Sequence, residues 1–241
     1  MKQVILKIKS NVHLTESVMK MELTGDLSGI KAGQFVNVKL DGLYLRRPIS
    51  VCDLTDSVLT IIYKIVGKGT EVMSQMTYGE LDVLTGLGNG YDLSLAGDSV
   101  LVIGGGVGVP PMFLLAKKLI AMGKKVKAIL GFNTKSEIFY EDEFKALGAD
   151  VVVTTVDGSY GVKGFVTDAM GDSYDYFYCC GPEPMLKAVY KTSKTSGQLS
   201  FEERMGCGFG ACMGCSCKTI YGNKRICKEG PVLKKEEILW Q

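Results

Sequence analysis

Short runs in which apolar and polar residues alternate fill the first part of the chain. VILKIKS, VMKMELT, QFVNVKL, ISVCDL, VLTIIYKIV and ELDVLTG follow one another, with Gly, Asp and Ser between them. Alternation with a period of two indicates strands with one buried face, and turn residues at these intervals favour antiparallel pairing. The pattern predicts a small antiparallel barrel or sandwich over residues 1–95, and the barrel is the favoured interpretation.

The pattern changes after Gly97, where buried strand-like runs alternate with helical ones. SVLVIGG, VKAILGF, ADVVVTTV and DYFYCCG read as strands, while PPMFLLAKKLIAMG, EFKALG, FVTDAMG and EPMLKAVYKTSKT read as helices. Such alternation predicts a doubly wound parallel sheet over residues 96–198. Residues 199–241 have little periodicity and many cysteines, which predicts a metal-held subdomain. The expected fold class is therefore an antiparallel β-barrel followed by an α/β domain and a cysteine-rich subdomain.

Composition narrows the function classes. The 241 residues are 46% hydrophobic and 22% charged, with a net charge of +2 and scattered basic residues, so neither a nucleic acid nor an anionic membrane is an expected partner. The uncharged stretch 100–116 contains four glycines and two prolines, too many helix breakers for a membrane span. The N-terminus lacks the apolar core of a signal peptide, so we expect a soluble, cytoplasmic protein. Clustered cysteines in a reducing compartment more often bind metal or do redox chemistry than form disulfides.

The turn GGGVGVPPM follows a buried strand and opens a helix. This is where a doubly wound sheet binds a dinucleotide pyrophosphate, because glycine lets phosphate approach backbone N–H groups. Gly106, Gly108 and Pro111 give the pattern G-x-G-x-x-P, and no acid follows the next strand to hold a ribose hydroxyl. Nucleotide binding is the favoured hypothesis, and a plain tight strand–helix turn is the alternative.

Three further stretches could contact a bound nucleotide, although each has a structural alternative. RPIS places Arg47 and Ser50 on one strand. The Arg47 guanidinium either binds a phosphate or is only a charged group at the edge of the strand. VGKGT is either an anion-binding turn or a hairpin turn. YCCGPEPM ends a parallel strand, so Cys180 either lies near a reacting ring or is an ordinary buried cysteine.

Half of the eight cysteines lie in MGCGFGACMGCSC. Cys207, Cys212 and Cys215 are spaced C-x4-C-x2-C, and Cys227 follows after eleven residues, which is typical of a plant-type 2Fe–2S protein with a shorter last interval. A zinc ribbon and a thioredoxin-type dithiol are weaker alternatives, since the first favours separated C-x2-C pairs and the second needs only two cysteines. The single histidine, His13, excludes a Rieske centre, which needs two. Cys217 is interpreted as a spare thiol that is not a ligand.

Taken together, the motifs resemble a known family. RPIS resembles the FAD motif of ferredoxin–NADP reductase-like flavoproteins, VGKGT resembles their pyrophosphate loop, and GGGVGVPP and CCGPEPM resemble their two nicotinamide-nucleotide motifs. The tail, EERMGCGFGACMGCSCKT with RICKEGPV, is similar to that of the electron-transfer subunits of class 1B dihydroorotate dehydrogenases.

The resemblance implies three cofactor sites. FAD would be bound by Arg47, Pro48, Ile49, Ser50, Ile62, Tyr63, Lys64, Gly69 and Thr70. The nicotinamide nucleotide would contact Gly106, Gly108, Pro111, Cys180, Gly181 and Pro182. The cluster would be held by Cys207, Cys212, Cys215 and Cys227. Ile49 departs from the aromatic residue of the wider family, so no ring from that position can stack on the flavin.

The resemblance also implies a function. NAD/NADH would be the substrate, and an FMN-containing dihydroorotate dehydrogenase catalytic subunit would be the partner, with two copies of each chain in the complex. Electrons would pass from dihydroorotate through that FMN, the cluster and FAD to NAD, in UMP biosynthesis. No catalytic acid, base or nucleophile is expected on this chain. The alternatives are a reductase subunit for ferredoxin, sulfite or sulfide, and a non-redox protein with a structural zinc site.

Overall fold

A computed structural model describes residues 1–240 of the chain. The N-terminal part contains six strands and one short helix: β1 Lys2–His13, β2 Val18–Thr24, β3 Phe35–Val38, β4 Arg47–Leu54, β5 Leu59–Lys64, helix α1 Lys68–Ser74, and β6 Glu80–Leu87. The strands close into an antiparallel barrel in the order β1-β2-β5-β4-β3-β6. All six predicted strands and the barrel are confirmed.

Strand β3 has no solvent-facing side. Val36 and Val38 belong to the apolar core inside the barrel, whereas Phe35 belongs to a second core outside it. Asn37 is 1% exposed and lies on the same side of the strand as Phe35, because successive side chains alternate between the two faces. The barrel wall at β3 is therefore buried on both sides.

A seven-stranded sheet follows the barrel. Its elements are β7 Ser99–Gly105, α2 Val109–Ala121, β8 Lys125–Phe132, α3 Glu141–Ala146, β9 Asp150–Thr155, β10 Val162–Lys163, β11 Tyr176–Cys180, α4 Glu183–Thr192 and β12 Gly197–Ser200. The order is β10-β9-β8-β7-β11-β12-β15, with every pair parallel except the last; β15 is Val232–Lys234. The predicted doubly wound sheet is confirmed.

One predicted helix is wrong. FVTDAMG forms a single 3₁₀ turn at Val166–Ala169 and not an α-helix. The Asp168 carboxylate caps the start of this turn, because it accepts a hydrogen bond from the backbone N–H of Phe165 at 2.8 Å. Gly164 and Gly171 bracket the turn with positive φ angles, which a continuing right-handed helix does not adopt. The two glycines therefore limit this stretch to one turn despite its apolar spacing.

The central strand β7 packs on both faces. Val100 and Val102 share a core with helix α2, whereas Leu101 and Ile103 share the other core with Leu186 of α4. Helix α2 also packs against β4 of the barrel, where the Nζ of its Lys117 lies 2.8 Å from Asp53 Oδ1. The barrel and the sheet therefore share one continuous core through this helix.

The cysteine-rich tail packs on both preceding units. It contains the hairpin strands β13 Ser216–Thr219 and β14 Gly222–Arg225, and β15, which pairs antiparallel with β12 at the edge of the sheet. The core outside the barrel joins residues of all three units: Phe35, Leu84, Leu87, Leu199, Cys215, Ile226, Cys227 and Leu233 are among them. Within residues 1–240, no helix has the length and apolar character needed to span a membrane.

Candidate functional site

The RPIS strand and the VGKGT loop meet at one contact. A Cβ placed on Gly69 would lie 2.0 Å from Nε and 2.6 Å from Cζ of Arg47, so the guanidinium lies directly on the glycine backbone. The same guanidinium donates to the carbonyl of Leu45. Glycine at position 69 is therefore required for the position of Arg47, which is the group best suited to bind a phosphate here.

Thr70 holds the loop together through its hydroxyl. Its Oγ1 accepts hydrogen bonds from the N–H groups of Val66 and Gly67, at 2.9 and 3.3 Å, and donates to the carbonyl of Gly67 at 3.0 Å. Because these bonds use its donor, Thr70 acts on a ligand mainly by shaping the loop. The family resemblance does not indicate that Gly69 makes room for the Arg47 guanidinium while the Thr70 hydroxyl holds the loop.

The remaining predicted flavin residues differ in accessibility. Pro48, Ile49 and Ser50 are half-buried on β4. Ile62 and Tyr63 are buried in β5, and the hydroxyl of Tyr63 donates to Asn11 Oδ1 at 3.1 Å, while burial raises the tyrosine pKa to about 12. Their side chains belong to the barrel core, so this strand can offer a ligand its backbone groups, together with the exposed side chain of Lys64.

The two nicotinamide-nucleotide motifs are also in contact. A Cβ on Gly108 would lie 2.3 Å from the carbonyl oxygen of Cys180 and 2.7 Å from the Cα of Gly181. Gly106, at the preceding turn, has a φ of +52° and open space where its Cβ would stand. Strand register explains the meeting, because Cys180 at the end of β11 lies beside Gly104 at the end of β7. The edge where these strands end is the ligand-binding edge of a doubly wound sheet.

The other predicted residues at this edge have distinct environments. Pro111 is buried within the first turn of α2, whereas Pro182 is exposed at the start of α4. Burial raises the pKa of the Cys180 thiol to about 12, so this group is a neutral thiol at physiological pH. The edge offers a ligand backbone groups and a thiol, and no strong base.

The four predicted cluster ligands lie as two pairs. The Sγ of Cys207 accepts hydrogen bonds from the N–H groups of Ala211 and Cys212, at 3.2 and 3.4 Å, while the Sγ of Cys215 accepts one from the N–H of Cys227 at 3.4 Å. Among residues 1–240, no three His, Cys, Asp or Glu side chains gather around a single-ion position. Two thiol pairs fit a 2Fe–2S cluster, in which each iron takes two protein ligands.

Backbone N–H groups make this region suitable for negatively charged sulfur. Burial pushes the pKa of Cys207 upward, yet the backbone N–H groups of Cys212, Phe209 and Ala211 outweigh it and lower the pKa to about 6. Burial raises the pKa of Cys227 to about 12, reinforced by the neighbouring thiol of Cys215. Binding of metal supplies the positive charge that a buried thiolate needs.

The remaining cysteine of this segment lies elsewhere. Cys217 lines a separate cavity of about 180 Å³ with Phe201, Leu233 and Trp240. His13 is exposed, and its Nδ1 lies 3.2 Å from the carbonyl of Thr15. Cys217 packs against the core that contains Cys215 and Cys227, but among residues 1–240 neither its thiol nor the His13 ring is hydrogen bonded to a thiol pair.

Three polar residues that the sequence reasoning missed hold the cysteine-rich loops. Asn37 of the barrel donates to the carbonyl of Cys207 at 3.3 Å. Arg225 donates to the carbonyl of Gly210 at 2.7 Å and pairs with Glu229, whose pKa it holds at about 2. Asn89, which is followed by Gly90 in the turn after β6, donates to the carbonyl of Val232 at 2.7 Å. An Asn-Gly pair indicates a turn, but the sequence does not indicate that the Asn89 side chain contacts β15.

Two protein-family models match parts of the chain. A family model described as the iron–sulfur cluster binding domain of dihydroorotate dehydrogenase B matches residues 202–239. A second, described as the oxidoreductase NAD-binding domain, matches residues 102–191. The matched segments contain the four paired cysteines and the glycine turn, respectively.

Relatives and solved structures match nearly the whole chain. It is 44% identical to the electron transfer subunit of dihydroorotate dehydrogenase B (NAD(+)) of Bacillus pumilus, covering 99% of this chain and 98% of that protein. The corresponding protein of Fusobacterium nucleatum is 43% identical, with 96% of each chain covered. A solved NADH-dependent reduced ferredoxin–NADP oxidoreductase matches with a TM-score of 0.88 and 29% identity, covering 99% of this chain and 91% of that one. A ferredoxin–NADP+ reductase of Neisseria gonorrhoeae with bound FAD and NADP shares the fold, with a TM-score of 0.70, 18% identity, and coverage of 80% of this chain and 90% of that one.

Substitution of Gly69 tests the contact between the two flavin motifs. Gly69→Ala places a methyl group against the Arg47 guanidinium, which must move away from the loop. Loss of one charge-assisted hydrogen bond to phosphate corresponds to about a tenfold or greater rise in the FAD dissociation constant. FAD titration of the flavin-free protein, followed by fluorescence, measures the change.

Gly67→Ala is the matched control for that substitution. Gly67 belongs to the same loop, has an extended backbone with a φ of 177°, and has no atom within 4 Å of its Cβ position. Its FAD affinity should stay within about twofold of wild type, since surface substitutions away from special features cost at most about 0.5 kcal/mol. Equal FAD affinities for the two variants would show that the Gly69–Arg47 contact does not contribute to FAD binding.

Proposed function

The chain belongs to the family of the electron transfer subunits of dihydroorotate dehydrogenase B, and from this premise we propose that its catalytic partner carries FMN and oxidises dihydroorotate to orotate. The chain transfers electrons between that partner and NAD by means of a 2Fe–2S cluster and FAD. We further propose a cytoplasmic complex of two copies of each chain, acting in pyrimidine biosynthesis. A reducing compartment suits its eight cysteines, none of which is in a disulfide in residues 1–240.

The order of the cofactors follows from the number of electrons that each can accept in one step. Bound flavin supplies the conversion between the two-electron chemistry of nicotinamide and the one-electron chemistry of an iron–sulfur cluster. Oxidation of dihydroorotate also removes two electrons, so a partner that delivers them singly needs a flavin of its own. This requirement supports FMN in the catalytic subunit.

Arg47 and the loop around Gly69 would bind the phosphates of FAD. Arg47 supplies a fixed positive charge, and Thr70 holds the loop in the shape that brings Gly69 beneath the guanidinium. The half-buried segment Pro48, Ile49 and Ser50 would lie along the flavin, with aliphatic contact from Ile49 and a hydroxyl from Ser50. Ile62 and Tyr63 would contribute backbone groups, and Lys64 an exposed ammonium.

The edge where β7 and β11 end would bind NAD. Gly106 and Gly108 let a pyrophosphate approach the backbone at the start of α2, which the buried Pro111 helps to form. Cys180, Gly181 and Pro182 would border the nicotinamide on the neighbouring strand end. The neutral thiol of Cys180 is suited to van der Waals contact with the nicotinamide and not to proton transfer.

Cys207, Cys212, Cys215 and Cys227 would hold the cluster. The pairs differ in depth, because Cys215 and Cys227 are 2% and 1% exposed whereas Cys212 is an exposed residue. The N–H groups directed at sulfur would stabilise the negative charge of the bound cluster.

The observation that carries the proposal is the exposed apolar surface beside Cys212. Phe209 is 43% exposed and Met213 is 53% exposed, so two exposed apolar side chains lie within three residues of this cysteine in the sequence. Exposed apolar patches are typical of protein–protein contacts. A partner that docks here would approach the cluster directly, and we propose this surface for the catalytic subunit.

A second function remains a candidate because of one comparison. The oxidoreductase that matches with a TM-score of 0.88 is named for ferredoxin and NADP, and not for dihydroorotate. A reductase subunit for ferredoxin, sulfite or sulfide would use the same three sites. The identity of the partner therefore distinguishes the two functions.

Anaerobic purification of the tagged protein from its native cell tests the proposed partner. We expect a yellow-brown complex with a co-eluting FMN subunit in a one-to-one ratio, and reduction of NAD on addition of dihydroorotate. A different flavin or iron–sulfur partner, with no response to dihydroorotate, would favour the second function. A colourless protein containing zinc would contradict both.

Cys212→Ser separates cluster chemistry from flavin chemistry. The variant should lose the cluster absorption and electron transfer to the partner, because one iron loses a thiolate ligand. It should keep FAD and the NADH-dependent reduction of small dyes, since the flavin motifs lie in other segments. Cys217→Ser, in a separate cavity, is the control and should keep the cluster. The opposite pattern would show that the ligands are wrongly assigned.

Met213→Glu tests the docking surface. A carboxylate in an apolar contact costs about 1–3 kcal/mol, so the partner dissociation constant should rise about tenfold or more, with the cluster absorption retained. Ile220→Glu is the control, because Ile220 is 52% exposed in the β13–β14 turn. Analytical ultracentrifugation of the two-subunit mixture measures both. Equal weakening by the two variants would place the partner elsewhere.

A further inference from the structure

We propose that Asn37 is a positioning residue for electron transfer, because its side-chain amide holds the Cys207 end of the cluster loop against the flavin-binding wall of the barrel. The inference rests on the proposed flavin and cluster sites and adds a residue between them. Neither the spacing of the cysteines nor the flavin motif points to this side chain.

The first observation is the place of Asn37 in the barrel. It lies on β3 directly opposite Pro48 of the RPIS segment on β4, and its neighbour Phe35 lies opposite Ser50. Residues opposite each other in an antiparallel pair project from the same face of the sheet. Phe35 and Asn37 therefore lie on the outer face of β3, next to Pro48 and Ser50 of the flavin motif, and Asn37 is the polar one of the two β3 residues.

The second observation is its contact with the cluster loop. The Nδ2 of Asn37 lies 3.3 Å from the carbonyl oxygen of Cys207, and a Cβ on Gly208 would lie 2.3 Å from that nitrogen. Gly208 also has a φ of +78°, a conformation that favours glycine. The loop backbone therefore comes closer to the amide than any side-chain-bearing residue would permit.

The third observation is that the amide is a costly group to bury. Asn37 is 1% exposed, and its Oδ1 has no hydrogen-bond partner among the described residues. A buried, unsatisfied acceptor costs about 1–3 kcal/mol, so packing alone would favour an apolar residue at this position. The carbonyl of Cys207 requires the donor to face it, which determines the orientation of the amide and leaves Oδ1 unpaired.

Packing of the subdomain as a whole does not depend on this hydrogen bond. Phe35, Leu84 and Leu87 of the barrel share an apolar core with Cys215 and Cys227. That core contains the inner thiol pair, whereas Asn37 contacts the segment that carries the outer pair. Removal of the amide should therefore loosen the 207–212 segment and leave the subdomain attached to the barrel.

Loosening this segment would change the environment of the cluster. Cys207 Sγ accepts hydrogen bonds from the N–H groups of Ala211 and Cys212. A shift of the Cys207 backbone would therefore change the hydrogen bonds to a proposed ligand sulfur. Hydrogen bonds to sulfur and solvent access tune the electronic properties of iron–sulfur clusters. The distance between flavin and cluster would change as well, because Asn37 and the flavin motif are on paired strands.

Two variants in the full-length, cofactor-loaded protein test the inference. Asn37→Asp keeps the shape but replaces the donor with an oxygen that faces the Cys207 carbonyl, and Asn37→Leu keeps the approximate volume without polar atoms. Asn223→Asp is the control, because it adds the same charge at an exposed position of β14 in the same subdomain. FAD and iron contents are measured first on all proteins.

The expected result is a selective defect. Flavin reduction by NADH in rapid mixing should stay within about twofold of wild type, while the following reduction of the cluster slows about tenfold, since the lost bond corresponds to a factor of about 5–30 in the docked population. The electron paramagnetic resonance spectrum of the dithionite-reduced cluster should change in both variants. Asn223→Asp should match wild type in every measurement.

A measurement without cofactors separates positioning from general damage. In the cofactor-free protein, hydrogen–deuterium exchange should become faster at residues 207–212 in both Asn37 variants and stay unchanged in the β13–β14 hairpin. Wild-type cluster reduction and spectra in both variants would overturn the inference, as would equal slowing of flavin reduction. A wild-type protein that binds no FAD or no cluster would instead contradict the proposed function.

Discussion

The architecture depends on one strand that is buried on both faces. Val36 and Val38 of β3 close the barrel core, while Phe35 and Asn37 pack against the cysteine-rich subdomain. A strand with no solvated face cannot shift its register by one residue without exchanging its two sets of neighbours. The relative positions of the flavin motif on β4 and the cysteines therefore follow from the register of β3.

Close backbone contacts unite the proposed flavin and nicotinamide sites in the same way. Gly69 lies beneath the Arg47 guanidinium, and Gly108 lies against the carbonyl of Cys180. In each case a missing Cβ lets two segments that are distant in the sequence share one binding edge. Helix α2 then links the two edges, because it begins at the glycine turn and packs on β4. The proposed cofactor sites are thus connected through packed elements and not through a flexible linker.

The depth of the thiol pairs has a functional counterpart. The inner pair, Cys215 and Cys227, is buried in the core that joins the tail to the barrel and sheet, whereas Cys212 is exposed and has exposed apolar residues near it in the sequence. A cluster held by both pairs would have one side toward the protein and one toward a partner. This asymmetry is what the proposed transfer of electrons between two subunits requires.

Much of the fold and of the candidate site could be predicted because it depends on local patterns. Period-two alternation specified the six barrel strands, strand–helix alternation specified the parallel sheet, and cysteine spacing with neighbouring glycines indicated the cluster segment. The tertiary structure decided what depends on distant partners: Tyr63 is engaged with Asn11, Thr70 holds its own loop, and Asn37 contacts Cys207 across 170 residues of sequence. The stretch FVTDAMG was misjudged for a local reason, since Gly164 and Gly171 have positive φ angles and limit an apparent helix to one turn. The spacing of apolar residues along the chain indicates which side chains share one face of a strand or helix. Which residues that face contacts is decided by the tertiary structure, because the contacting residues come from distant parts of the sequence.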